Sequence, residues 1–166
     1  QYENGFAMHL EAAEAAYLCG DTEQLETLLK TTLAHTRNTL DTCRTQEIQM
    51  RALIAYGDMN SAISLGQQML GKLGIRLSDS TATFRTPLVI AKAIYLTLKM
   101  NRIDINNIPR MTKPESLAAM RVLVLMCQAG YLIGDRRTTD YILKITELSL
   151  SEGMAPESSF AYPMFG

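Results

Sequence analysis

Apolar side chains recur along this chain at steps of three and four. Phe6, Leu10, Ala13 and Tyr17 form the first such stripe, the spacing of one helix face and not of an alternating strand. It predicts a helix from about residue 6 to residue 19. Gly20 can take the positive φ that ends a helix, and Asp21 can cap the free amides of the next one. Leu25, Leu28, Leu29 and Leu33 make the second stripe, so residues 22–36 are expected to fold back antiparallel on the first helix.

The word that closes the first helix returns twice. EAAYLCGD ends at Asp21, RALIAYGD at Asp58 and QAGYLIGD at Asp135, each an apolar helix end followed by Gly and Asp. The glycines stand 37 residues apart from Gly20 to Gly57 and 77 apart from Gly57 to Gly134, close to one and two units of a single period. A period of this length marks stacked helical hairpins, because one hairpin cannot cover both of its own apolar faces. A second hairpin is predicted over residues 41–56 and 59–73, with Met59, Ala62, Ile63, Met69, Leu70 and Leu73 on its inner stripe and Gly74 as its stop. The third unit, 86–110, is irregular: a helix from about residue 86 to Met100 runs into RIDINNIPRMTKP, a loop by composition. Thr112, Lys113, Pro114 and Glu115 read as a capping box opening a helix over 113–132. Inside it VLVLMC, residues 122–127, is apolar on every side, the pattern of a central, fully covered helix. Residues 136–152 give its partner, and Pro156 is expected to open a further helix through Ser158, Phe160 and Tyr162 that begins the next unit, 156–166.

Composition bounds what such an array can do. The chain has 166 residues, 47% apolar and 20% charged, with 16 Lys and Arg against 17 Asp and Glu. That balance gives no electrostatic footprint for nucleic acid, and no apolar run reaches the roughly 18 residues of a membrane span. Cys19, Cys43 and Cys127 are an odd number without paired metal-ligand spacing, so reduced thiols and a cytoplasmic location are expected. The start, QYENGFAM, lacks both Met and a secretion signal, and the chain is expected to be an excised piece of a longer protein. The ten Met residues include Met50, Met59, Met69, Met120 and Met126 in apolar stripes, where flexible thioethers fill core gaps.

Chemistry-bearing motifs are scarce. GQQMLGKL, Gly66–Leu73, matches most of a phosphate-binding loop, but Leu73 stands where Ser or Thr would hold magnesium and no strand precedes it. A weak nucleotide or hydrolase site at Lys72 is therefore the third-ranked reading. His9 and His35 are the only imidazoles, and His35 falls where it can bond the last carbonyls of its helix. Asp21, Asp58 and Asp135 are accounted for as caps. No metal site, cofactor or catalytic residue is expected. Arg44, Glu47 and Arg51 share one side of the third helix. If the first helices of the hairpins line a groove, Glu14, Arg44, Glu47, Arg51, Arg121 and Gln128 lie at comparable distances before their Gly-Asp turns and would form a mixed-charge protein-binding surface.

AISLGQQML, residues 62–70, resembles the second helix of a tetratricopeptide repeat. MTKPESLAAMRVL, residues 111–123, and LSLSEGMAPESSFAY, residues 148–162, resemble the helical-repeat region of large bacterial multidomain sensor proteins, and the similarity runs over essentially the whole chain. In that family a Ser/Thr-kinase-like domain and a signal-transduction NTPase precede the repeats, and a GAF domain and histidine kinase follow. The resemblance implies an all-α, right-handed superhelical stack of antiparallel hairpins, degenerate and TPR-like. It implies a single domain over 1–166 with hairpins at 6–36, 41–73, 86–110 and 113–152. Its expected role is a non-catalytic connector between the NTPase and the output modules, with neighbouring domains of the same chain as partners. The alternative is a regulatory domain that binds a peptide or protein in its groove and switches the NTPase. Two positions depart from the family pattern: Ala155 stands where a capping Ser or Asn is usual, weakening that helix start by about 1 kcal/mol, and Pro163 falls where the last helix would continue.

Overall fold

The computed structural model describes residues 2–77, 85–100 and 108–160. Seven α-helices are found there: α1 (Tyr2–Cys19), α2 (Thr22–Ala34), α3 (Thr39–Ala55), α4 (Met59–Lys72), α5 (Arg85–Met100), α6 (Pro114–Leu132) and α7 (Thr138–Glu152). No strand occurs among the described residues beyond one isolated bridge between Arg110 and Met154. The fold is all-α. α1 begins four residues earlier than the apolar stripe alone required, because Tyr2 is tied down by a hydrogen bond to Asp41 and its ring stacks on Phe6.

The Gly-Asp words build the same turn each time. At Gly57 the amide donates to Ile54 and the Asp58 amide to Leu53, the paired bonds of a Schellman ending, with φ +84° at the glycine. The same two bonds close α1 at Gly20 and α6 at Gly134. At the first two turns the Asp side chain then caps the following helix, Asp21 accepting from the Gln24 amide and Asp58 from the Ser61 amide. Asp135 departs from this expectation. Its carboxylate accepts from the amide and guanidinium of Arg137, and α7 starts only at Thr138 with no side-chain cap. The nearby cation competes for the oxygens that the helix amides would otherwise use.

Two further starts differ from expectation. α6 has Lys113 at its N-cap and no side-chain cap bond, so the Thr112 capping box does not form; Pro114, which lacks an amide donor, opens the helix unaided. After α7, Pro156–Phe160 is a 3-10 helix and not an α-helix. Ala155 supplies no cap of its own, but Ser158 reaches back to its amide and also bonds Ser149. Pro163 and the remainder of the expected next unit lie outside the described residues, as does most of the 101–113 loop.

Joined by two or three residues and packed together, α1–α2 and α3–α4 are antiparallel hairpins, and α6–α7 is a third. α2 and α3 also pack across a short link, so α1 and α3 run the same way. α3 and α6 do too: Glu47 meets Arg121, and Met50 and Met126 both lie against Gly66 further along. The turns that follow α1, α3 and α6 therefore share one end of the molecule. α6 packs directly on α3 and α4, while α5 lies on α7. The fourth predicted hairpin thus stacks on the second without the irregular third between them.

α3 is shared by two cores. Its Ile48 and Ala52 close over Ala13, Ala16, Leu25 and Leu29. Its Cys43 and Met50 join Ile63, Met69, Leu70, Met120, Leu123, Met126, Tyr141 and Ile145. Met50, Met69, Met120 and Met126 are fully buried, as gap-filling thioethers should be, with Met59 at the edge. VLVLMC lies in the middle of α6 against α3, α4 and α7, but the helix is not covered on every side as expected, since Val124 and Leu125 are only partly buried.

Candidate functional site

The six residues expected to line a groove sit on α1, α3 and α6, the helices that pack as neighbours. Four of them are brought together in two ion pairs. Arg51 Nη1 lies 3.6 Å from Glu14 Oε1, both side chains half exposed. Arg121 Nε donates to both oxygens of Glu47 at 2.9 and 3.1 Å. Arg51 also acts on Glu47 electrostatically, so the signs alternate from α1 across α3 to α6. Arg44 and Gln128 remain exposed on α3 and α6. The ladder is close to self-neutral, and it fastens each first helix to the next.

Glu47 is the buried member, with 8% of its side chain exposed against 34% for Arg121. Burial pushes its carboxyl above the usual carboxylate range, and the hydrogen bond and charge of Arg121 do not bring it back. Burial and the Glu47 charge also raise the Cys43 thiol, and burial alone pushes Cys127 up to about 12. Neither is a nucleophile at neutral pH. Cys19 is exposed, and all three thiols are free.

A second location was not anticipated. Tyr2, Gly5, Phe6 and His9 of α1 and Thr32 and His35 at the end of α2 line an open cavity of about 180 Å³ with almost wholly apolar walls. Counted outward from the Gly20–Asp21 turn, Phe6 and His35 are equidistant, and so are His9 and Thr32. That hairpin register is the signal by which sequence reasoning could have joined the two histidines. His35 caps α2 as expected, its Nδ1 lying 2.7 Å from the Thr31 carbonyl. Arg37 lies over the Tyr2 ring at 4.0 Å and donates its amide to the Tyr2 hydroxyl, which itself donates to Asp41. The wall made by Tyr2 is thereby held from three sides.

Gly66–Leu73 is helical to Lys72, and Gly66 faces Met126 instead of a phosphate. Among the described residues no group of three His, Cys, Asp or Glu could hold a metal ion, and no helix is long and apolar enough to cross a membrane. No family model, curated protein or solved structure matches the chain.

Proposed function

We propose that this chain is a TPR-like helical-repeat connector of a bacterial signal-transduction protein, joining an NTPase module to sensor and kinase output modules without chemistry of its own. The reading rests on the resemblance of residues 111–123 and 148–162, and one structural observation supports it above others. The charges that would have furnished a ligand groove, Glu14, Glu47, Arg51 and Arg121, pair with one another to hold successive hairpins in line. Large apolar side chains are instead left exposed. Ile90, Ile94 and Leu98 form a stripe at steps of four on α5 with Tyr95 beside it, and Leu18, Tyr56, Tyr131, Leu132 and Ile133 stand exposed where α1, α3 and α6 end. Exposed apolar surface of this kind is what a domain offers to neighbouring domains.

The test has two parts. The coding sequence on either side should specify a kinase-like domain and an NTPase upstream; finding neither overturns the connector reading. In the intact protein, Ile90→Asp with Ile94→Asp should uncouple NTPase from output while the isolated repeat chain keeps its helix content. Unchanged coupling would count against the role assigned to this face. Saturable binding of a peptide to the repeat chain, abolished by charge reversal at Arg51 and Arg121, would replace the connector reading with the regulatory one.

A further inference from the structure

The three Gly-Asp turns put α1, α3 and α6 in a common register, since each closes its helix with the same two backbone bonds. Equivalent positions can therefore be counted back from Gly20, Gly57 and Gly134. Five residues before the glycine stands Ala15 on α1, Ala52 on α3 and Ala129 on α6. The same small side chain has different surroundings. Ala52 closes the core that α3 shares with α1 and α2, and Ala129 lies in the core that α6 shares with α3 and α4, whereas Ala15 is exposed.

The rest of this face behaves alike. Twelve residues before the glycine, Thr45 and Val122 are fully buried and Met8 is 70% exposed. Eight before it, Met126 reaches Gly66 on the second helix of the preceding hairpin, while Ala12 is open to solvent. Phe6, Ala13 and Ala16 already bury the other side of α1, so Met8, Ala12 and Ala15 make a second apolar face at steps of four and three. On α3 and α6 this face is covered by the hairpin before it. One position differs. Nine before the glycine, where α3 buries Ile48, α1 carries the exposed Glu11.

We propose that this face of α1 packs on a further helical hairpin, formed by the stretch of the same polypeptide ahead of residue 1, as α3 packs on α1–α2. The short side chains of Ala12 and Ala15 let a helix of that hairpin approach closely. Glu11 sets the chemistry of the contact. A carboxylate brought into an interface needs a cation opposite it, as Arg121 meets Glu47 between α6 and α3, so the added hairpin presents Lys or Arg to Glu11. This hairpin rests on the repeat array of the proposed function, but a connector does not require it, and its absence leaves that reading standing.

The test compares this chain with one extended by the roughly 40 residues encoded ahead of it, one repeat of this kind. In a Cys19→Ser background, Met8→Cys and Ala15→Cys are the reporters, and Lys30→Cys, at an exposed site on α2, is the control. Thiol labelling read by mass spectrometry should be fast at all three sites in the shorter chain. In the longer chain labelling at Met8→Cys and Ala15→Cys should slow by about tenfold or more, as for side chains reached only by local opening, with Lys30→Cys unchanged. Glu11→Lys should weaken that protection. Ala15→Arg should lower the melting temperature of the longer chain by several degrees and leave the shorter one unaffected, which keeps the test sound if a cysteine variant folds poorly. Equal labelling of the two chains overturns the proposal. So does protection that grows with the concentration of the shorter chain, which would give the face to a second copy, and so does protection that appears only when a whole upstream domain is attached.

Discussion

Removing Arg121 tests whether the ladder is structural. In Arg121→Met the aliphatic volume is kept and the one partner bonded to the Glu47 carboxylate among the described residues is lost, while Arg51 stays committed to Glu14. With Nε at 2.9 Å from the nearer oxygen, the charge centres are about 4 Å apart, worth about 4 kcal/mol at an effective dielectric constant of about 20. Arg121 is about one-third exposed, so solvent screening reduces this to roughly 2 kcal/mol. The sign with pH follows from the raised carboxyl. Glu47 holds its proton more tightly folded than unfolded, so the penalty of its charge is absent below the unfolded value of about 4.3 and grows as pH rises through the folded value. Urea denaturation followed by far-UV circular dichroism should show Arg121→Met about 2 kcal/mol less stable than the parent near pH 8 and nearly equal to it near pH 4. Adding Glu47→Gln should recover much of the loss, because no buried charge is then left unpaired. A deficit independent of pH, or a double variant as unstable as Arg121→Met, would refute the reasoning.

Two glycines of α4 should respond oppositely to the same substitution. A Cβ at Gly66 would lie 2.6 Å from Met126 Cγ, so Gly66→Ala should destabilise by about 1–3 kcal/mol through overpacking. Gly71 has open space, and Gly71→Ala should stabilise by up to about 1 kcal/mol; thermal melts of the two variants decide. A thiol reagent applied to the native chain should label Cys19 alone, Cys43 and Cys127 reacting only on unfolding; mass spectrometry showing fast native labelling of either would contradict their burial. Burial would raise the Asp135 carboxyl, but the Arg137 guanidinium and amide outweigh it and hold the group below the usual range. That contribution is present above the unfolded value of about 3.9 and lost as pH falls through the folded one. Asp135→Asn should therefore be weaker than the parent by about 1 kcal/mol at neutral pH after screening, with the two converging below about pH 3 in denaturant titrations.

The parts of this fold that could be read in advance are those decided within six residues. Gly20, Gly57 and Gly134 close their helices with bonds that reach back only to Ala16, Leu53 and Gly130, and a local word is enough to specify them. Thr112 shows the limit of such words. It heads a good capping pattern, yet the chain passes it in a non-helical conformation, its neighbour Met111 bonding across to Met154. The path of the strand-like segment beside Gly153 decides the matter, and nothing within the four-residue word encodes it.

Charge pairing lies further from the sequence than packing does. The stripes located Glu47 and Arg121 on the first helices of the second and fourth hairpins, with an irregular unit expected between them; their contact spans 74 residues and depends on α6 packing directly on α3, with α5 displaced onto α7. Asp135 makes the same point over a short range. It shares its word with Asp21 and Asp58, but Arg137 two residues on takes its carboxylate, and the cap is lost. The same residue type thus caps a helix start at two turns, while at the third its carboxylate bonds the backbone amide and the guanidinium of Arg137 and the helix begins three residues further on.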